Sequence, residues 1–230
     1  MLLEESKWIG KELFNVTNPK TKVLNIGSSS LKTRTVSQPY MEKNIFLPLK
    51  RNKIKVIHTD IIDDEGVDIS GDLTDKDFIK ILKEEKYDVI LCSNLLEHLE
   101  DKDPIVRAIQ EILPNNGIAI ITVPYNYPYH LDPIDTMFRP NIKELEKLFN
   151  GLYFLRGEIV TGKSYRDELF FNNYWSQLKE EPFLTFKLFL RVLFPFYKYN
   201  VWKNNAKSLL NAFKSFSATC IVLTKKPFDI

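Results

Sequence analysis

The sequence has few cysteines. Only Cys92 and Cys220 occur in 230 residues, and each lies within an apolar run. A thiol in such a run packs as a small hydrophobic side chain far more often than it reacts. This usage fits a reducing compartment, and we expect a cytoplasmic protein.

An excess of charge is also absent, since 32 lysines and arginines face 30 aspartates and glutamates, for a net charge of +2. Such a balance gives no broad electrostatic attraction to nucleic acid. We therefore expect no nucleic-acid partner.

No segment is typical of export or of a membrane span. The N-terminal residues MLLEESKW lack the long apolar core of a secretory signal. The most apolar stretch, residues 183–197, is interrupted by Lys187, Arg191 and Pro195 and is shorter than the roughly 20 residues that a spanning helix needs. This stretch is not expected to cross a bilayer.

Short apolar runs alternate with helical patterns along the chain. The runs that predict strands are residues 22–26, 53–58, 67–69, 87–92, 118–123, 152–160 and 217–224. The helical patterns cover residues 75–85, 103–113 and about 140–149. This alternation predicts a mostly parallel α/β sheet with helices on both faces and a ligand site at the carboxyl ends of the strands.

Local residue patterns predict where the helices begin. Thr74 with Asp77 resembles a capping box, Asp103 before Pro104 is typical of an N-cap, and Pro140 is expected to open the last helix. Residues 31–50 contain Pro39 and Pro48 and are expected to be partly irregular, folded over a ligand.

Candidate ligand residues follow several predicted strands. Gly27 after the first strand allows the backbone to approach a ligand, and Asp60 after the second has the chemistry to accept hydrogen bonds from both ribose hydroxyls. Asp72, after the third, suits the exocyclic amine of adenine. Singly, each fits equally well as a turn residue or a solvated carboxylate; their order favours a nucleoside site.

Five segments resemble, in order, the motifs of class I S-adenosylmethionine-dependent methyltransferases, in the type 11-like branch whose fourth motif ends in Glu-His. They are KVLNIGSSS, the strand end at Asp60, GDLTD, YDVILCSNLLEHLED and ILPNNGIAIITVP, and they span about residues 20–160. Residues 217–224 fit that family's last, antiparallel strand. The resemblance implies one doubly wound, seven-stranded Rossmann-like domain over residues 1–230, with residues 161–216 inserted before the last strand.

The resemblance also implies S-adenosylmethionine as cofactor and no metal. Gly27, Ser28 and Ser29 would contact its methionine part, Asp60 its ribose, and Asp72 with Leu73 its adenine. The full set of expected cofactor residues is Asn25, Gly27, Ser28, Ser29, Asp60, Ile61, Asp72, Leu73, Ser93 and Asn94. The chain departs from the family at two of them, because the family usually has an acidic residue at the position of Asn25 and a second glycine at that of Ser29.

The loop of residues 125–140 is expected to contact the methyl acceptor. It resembles the corresponding loop of methyltransferases that accompany bacterial surface-polysaccharide genes, which implies transfer to a hydroxyl or amine of a small molecule or glycan. The expected substrate residues are His98, Tyr129, His130 and Arg139, with His130 as proton acceptor oriented by Asp132 or Asp135.

Three alternatives stay open for these residues. Asp135 and Arg139 are four residues apart and would equally form an ion pair that braces the loop. His98 would equally be a structural histidine that bonds to nearby backbone. A strong base is also optional, because the sulfonium already activates the methyl group and alignment is the main requirement.

Residues 163–214 combine 9 lysines and arginines with 4 acidic residues and hold 14 of the 29 aromatic residues. This pattern fits an amphipathic lid that contacts the inner face of a membrane through residues 183–203. It equally fits helices that pack on the domain or form a homodimer.

Two other functions fit the same architecture. A nicotinamide-dependent oxidoreductase is disfavoured because GSSSLK lacks the GxGxxG spacing and because the Tyr199 and Lys203 pair falls in the late insertion. The other is a non-catalytic module that binds S-adenosylmethionine.

Overall fold

Seven strands form one sheet in the order β3-β2-β1-β4-β5-β7-β6. The computed structural model describes residues 1–129, 134–164 and 214–226. Neighbouring strands from β3 to β5 are parallel, and β7 is antiparallel to β5. The strand bounds are β1 Lys22–Ile26, β2 Lys55–Asp60, β3 Ile69–Ser70, β4 Val89–Ser93, β5 Ile118–Asn126, β6 Tyr153–Ser164 and β7 Ser215–Thr224. The predicted doubly wound, mostly parallel α/β fold is confirmed.

Helical segments precede β1 and lie in the connections between the strands. They are α1 Leu3–Val16, α2 Pro39–Met41, α3 Leu47–Arg51, α4 Lys76–Glu84, α5 Asp103–Ile112 and α6 Ile142–Leu148, with π-helical turns at Thr33–Ser37 and Glu42–Phe46 and a 3-10 helix at Leu96–His98. Residues 31–50, expected to be partly irregular, form a broken series of short α-helical and π-helical turns and not one long helix, and Thr33, Gln38 and Met41 of this segment line the cavity described below. Pro39 is the first residue of α2, where a missing N–H costs no helical hydrogen bond. Pro48 lies at the start of α3, directly after the π-helical turn.

Both faces of the sheet are covered. Leu24 and Ile90 belong to one buried cluster with apolar residues of α4, α5 and α6. Their strand neighbours Val23 and Leu91 point to the opposite face and are equally buried. Helix α1 contacts β5, and α3 contacts β2. Burial on both faces explains why the strands read as continuous apolar runs.

The observed helix starts differ from the predicted ones by one or two residues. Asp75, not Thr74, caps α4, because its side chain accepts a hydrogen bond from the Asp77 N–H. Helix α5 begins at Asp103 itself, after the cap position Lys102. Asn141 caps α6 in a reciprocal capping box. For α4, Thr74 and Asp75 are both suitable capping residues, and the sequence pattern alone does not rank such neighbours.

The chain divides into two units, Met1–Val160 with Ser217–Ile230 and Thr161–Phe216. Of the second unit the structure describes residues 161–164 and 214–216, which are the ends of β6 and β7. The expected membrane-contacting stretch 183–203 lies outside the described residues. Within the described part of the chain, no helix is long and apolar enough to cross a membrane.

The β1–β2 register places Asn25 directly opposite His58. The Asn25 amide Nδ2 donates to His58 Nδ1 at 3.0 Å, and Phe46 packs edge-on against the imidazole at 4.8 Å between ring centroids. Burial, with a further contribution from Arg34, lowers the pKa of His58 to about 4, although Asp68 acts in the opposite direction. A neutral imidazole accepts at Nδ1, so Asn25 keeps its carbonyl oxygen as an acceptor for other groups.

Leu82 and Ile81 give a direct test of the packing of α4, because Leu82 is fully buried and 53% of Ile81 is exposed. We expect Leu82→Ala to lower the free energy of unfolding by about 2–5 kcal/mol, since it leaves a cavity beneath the helix. Ile81→Ala should change it by less than about 1 kcal/mol. Urea denaturation of the two variants checks this, and equal losses would contradict the described face of α4.

His58 should make stability fall as the solution is acidified. Its pKa is depressed in the folded protein, so between the ordinary value of 6.5 and about 4 the unfolded chain binds a proton that the folded chain does not. His58→Gln keeps a hydrogen-bond acceptor and removes this titration. From about pH 7 to about pH 4.5, the wild type should lose about 2 kcal/mol more unfolding free energy than the variant. Equal losses in the two proteins would contradict a neutral buried His58.

Candidate functional site

A cavity of about 590 Å³ opens at the carboxyl ends of the parallel strands. Its walls include residues that follow β1, β2 and β4, and β1 lies between the other two. This is the point at which the strand order reverses, where doubly wound sheets bind ligands. The volume lies in the range of roughly 300–1,000 Å³ typical of small-molecule sites.

Eight of the ten expected cofactor residues line this cavity. They are Asn25, Gly27, Ser28, Ser29, Asp60, Ile61, Ser93 and Asn94. Asp72 and Leu73 do not line it. The Asp72 carboxylate accepts a hydrogen bond from the Thr74 N–H at 2.8 Å, and Leu73 belongs to the buried apolar cluster. Their roles at adenine stay predictions.

The turn after β1 uses left-handed backbone at two positions, Gly27 with φ +65° and Ser29 with φ +57°. A side chain on Gly27 would place its Cβ 3.1 Å from Leu95, so glycine meets both the conformational and the spatial requirement. Ser29 carries the conformational cost of a non-glycine residue in this region. Its N–H donates to Asp60 Oδ2 at 2.8 Å, which helps to hold that conformation.

Arg34 supports the same turn from the π-helical segment Thr33–Ser37. Only 2% of Arg34 is exposed, and its Nη1 donates to the carbonyl oxygens of Ser28, at 2.9 Å, and of Ser29. Its Nη2 donates to the carbonyl oxygen of Gly66 at 2.7 Å. A buried guanidinium therefore ties the turn after β1 to the loop after β2. Sequence reasoning missed this residue, because its partners are carbonyl groups that carry no sequence signal.

Asp60 is the last residue of β2, and its carboxylate lies in the cavity wall. Oδ2 accepts from the Ser29 N–H, and Oδ1 accepts from the Ile62 N–H at 3.2 Å. A carboxylate has room for about four hydrogen bonds. Two acceptor positions are therefore left for hydroxyl groups of a bound molecule.

Helix α1 adds a wall that the sequence did not predict. Glu5 is 1% exposed and lines the cavity. Its carboxylate accepts hydrogen bonds from Asn94 Nδ2 at 2.7 Å, from Thr122 Oγ1 at 2.6 Å and from the Leu2 N–H at 2.9 Å. An available signal was the position of Glu5 on the same helix face as Ile9, four residues later, since an acidic residue on an apolar face needs a buried partner.

Glu97 and His98 form the edge of the cavity after β4. His98 Nδ1 lies 2.6 Å from the Ile134 carbonyl oxygen, which only accepts, so Nδ1 carries the proton. The backbone bond expected of a structural histidine is present, and His98 also faces the cavity. Burial, with a smaller contribution from Glu5, raises the pKa of Glu97 to about 8.

The Asp135 and Arg139 pair braces the loop before α6, as one of the two alternatives predicted. Arg139 Nη2 donates to Asp135 Oδ2 at 2.6 Å, and its Nε donates to the Tyr127 carbonyl oxygen at 3.2 Å. Neither residue lines the cavity, and neither does Tyr129, which is 57% exposed. His130 and Asp132 lie outside the described residues. Catalytic roles for His130 and Asp135 stay predictions.

A smaller depression of about 280 Å³, lined in part by Lys83, Glu111 and Lys225, contains none of the predicted site residues. Among the described residues, no group of three or more histidine, cysteine, aspartate and glutamate side chains is placed to hold a metal ion. The large cavity is therefore the candidate site.

Comparison with known proteins identifies the family. Residues 32–177 match the family model described as a methyltransferase domain. No curated protein matches the sequence.

Solved structures share the fold at low identity. A coclaurine N-methyltransferase is 14% identical, with a TM-score of 0.57 over 96% of this chain and 70% of that one. An S-adenosylmethionine-dependent methyltransferase from Archaeoglobus fulgidus is 14% identical, with a TM-score of 0.54 over 96% and 94%. Phosphoethanolamine N-methyltransferase 2 from Haemonchus contortus is 12% identical, with a TM-score of 0.54 over 97% and 52%.

The cavity fits the expected cofactor, S-adenosylmethionine. The open acceptor positions of Asp60 suit ribose hydroxyls, and the left-handed turn at Gly27 and Ser29 brings backbone to the cavity wall. The family match confirms the predicted enzyme class and its methyl donor. Because the matched region covers more than half of the sequence, this chain belongs to the methyltransferase domain family.

Proposed function

We propose that the protein transfers a methyl group from S-adenosylmethionine to a hydroxyl or amine of a small-molecule or glycan acceptor. One observation carries this proposal: eight of the residues that the sequence assigned to the cofactor line a single cavity at the switch point of the sheet. They come from three separate segments of the chain, residues 25–29, 60–61 and 93–94, so their convergence is not a consequence of sequence proximity.

At the donor end, the residues have distinct tasks. Asp60 would bind the ribose hydroxyls through its open acceptor positions, and the turn at Gly27 would face the methionine part. Asn25 would accept a hydrogen bond through its carbonyl oxygen, because His58 holds the amide nitrogen. Bound there, the cofactor supplies a methyl group that is already activated on sulfur. The protein's task is then to orient the acceptor atom in line with that bond.

The residues at the acceptor end support only a general statement about the acceptor, namely that it is a small molecule. Tyr127, Glu97 and His98 line the cavity there, which leaves room for a small molecule. Two structural relatives are described as bound to N-methylheliamine and to phosphomonomethylethanolamine, and a small acceptor is consistent with these. A glycan acceptor in surface-polysaccharide synthesis, a membrane contact through residues 183–203 and a homodimer are finer proposals that rest on the sequence alone.

Cofactor binding is tested by calorimetric titration with S-adenosylhomocysteine and, in parallel, with NAD. We expect the first to bind and the second not to bind. Asp60→Ala should weaken S-adenosylhomocysteine at least about tenfold, because it removes the ribose acceptor and the bond to Ser29. Gly27→Arg should abolish binding, since an arginine in left-handed backbone beside Leu95 has no space.

Asp63→Ala is the matched control, because Asp63 is exposed and does not line the cavity, and its affinity should stay within about twofold of wild type. Asp72→Ala tests the adenine contact that the sequence predicts, and a strong loss would support it. Binding of NAD alone would overturn the proposed function in favour of an oxidoreductase.

A further inference from the structure

Glu97 is a buried acid in the wall of the cavity. Only 1% of the residue is exposed, and its Oε2 atom has no hydrogen-bond partner among the described residues. The other carboxyl oxygen lies 3.8 Å from His98 Nε2, which is beyond hydrogen-bond distance. A buried carboxyl oxygen without a donor is unfavourable, so its presence beside a cavity points to a polar group supplied by a ligand.

The other two carboxylates of the wall differ from Glu97. Glu5 accepts hydrogen bonds at both of its oxygens, from Leu2, Asn94 and Thr122. Asp60 likewise accepts at both oxygens, from backbone N–H groups. Of these three acids, only Glu97 has an oxygen to which no described residue donates. Both oxygens of Glu5 and of Asp60 are thus already held by protein donors, whereas Oε2 of Glu97 is not.

The charge of the wall favours a cation. The described lining residues include three carboxyl groups and neither lysine nor arginine. Arg139, which acts on Glu97, does not itself line the cavity. An anionic acceptor would face repulsion from these acids, whereas an ammonium group would be attracted.

The pKa of Glu97 allows this side chain to exchange protons near neutral pH. Burial raises its pKa to about 8, and Glu5 on α1 raises it as well, while its own backbone N–H, the Met1 α-amino group and Arg139 lower it. A group with a pKa near the working pH gives up and takes up protons readily. An adjacent ammonium would stabilise the ionised carboxylate.

We propose that the acceptor is an amine, which binds as an ammonium against Glu97 and passes one proton to it. This inference rests on the proposed methyl transfer and narrows it. Proton transfer to the Glu97 carboxylate leaves a neutral amine with a free lone pair. That lone pair forms the new N–C bond as the methyl C–S bond breaks, which gives a methylammonium product and a neutral thioether. Glu97 then releases its proton to solvent.

The test uses the wild-type protein saturated with S-adenosylhomocysteine and three ligands of one carbon skeleton: 2-phenylethylamine, 2-phenylethanol and phenylacetate. We expect the amine to bind at least about tenfold more tightly than the alcohol, and phenylacetate to bind more weakly than either. Glu97→Gln should abolish this preference. Glu100→Gln, at an exposed position of the same loop, should retain it.

A second readout is the rate of methyl transfer from S-adenosylmethionine to the amine. In the wild type kcat/KM, which reports the free enzyme, should rise with pH through the Glu97 titration near pH 8, because the ionised form accepts the proton, and this limb should be missing in Glu97→Gln.

Two outcomes overturn the inference: no preference for the amine in the wild type, including failure of all three ligands to bind, or an undiminished preference in Glu97→Gln. S-adenosylhomocysteine affinity within about twofold of wild type in Glu97→Gln shows that the variant is folded. If the wild type does not bind S-adenosylhomocysteine at all, the proposed function itself is contradicted. Failure of the amine inference and failure of the proposed function are therefore distinguishable.

Discussion

The hydrogen bonds at the carboxyl end of β1 are the interaction on which the candidate site depends. Asp60 accepts from the Ser29 N–H, and Arg34 donates to the carbonyl groups of Ser28 and Ser29. These bonds hold a non-glycine residue in left-handed backbone and fix the distance between the loops after β1 and β2. A side chain that binds the cofactor in the proposal therefore also shapes the turn, so changes to Asp60 act on both.

The same arrangement explains how the chain tolerates its two departures from the family pattern. A second glycine is replaced by Ser29, whose conformation is supported by Asp60 and Arg34. An acidic residue is replaced by Asn25, whose amide nitrogen is held by a neutral His58. Asp60 and Arg34 thus support the left-handed backbone at Ser29, and His58 fixes the Asn25 amide so that its carbonyl oxygen stays available as an acceptor. The departures are thus compensated locally, and they give no structural reason to expect loss of the cofactor site.

Much of the sheet and most of the donor end were predictable from sequence. Continuous apolar runs identified the strands, and parallel strands bring their carboxyl ends to one edge, which fixed the neighbourhood of Gly27, Asp60 and Asn94. Helix α1 and the role of Glu5 were not predicted. Glu5 bonds to Asn94 and Thr122, which are 89 and 117 residues away. The position of Glu5 on the apolar face of α1 indicates that it needs a buried partner, but at such distances the sequence does not indicate which residues those partners are.

Most of the donor end of the cavity was predictable from sequence and most of the acceptor end was not, and this difference has a structural cause. The donor end is built from turns that directly follow strands, so its residues recur in a fixed order wherever the sheet is wound in this way. The proposed acceptor end is lined by residues of α1, by Glu97 and His98 of the 3-10 helix Leu96–His98, and by Tyr127. The loop before α6 supports this 3-10 helix, because Thr136 donates to the Glu97 carbonyl oxygen. These segments are free to differ without disturbing the sheet. Specificity for the acceptor is therefore expected to depend on side chains such as Glu97, which the sheet itself does not require.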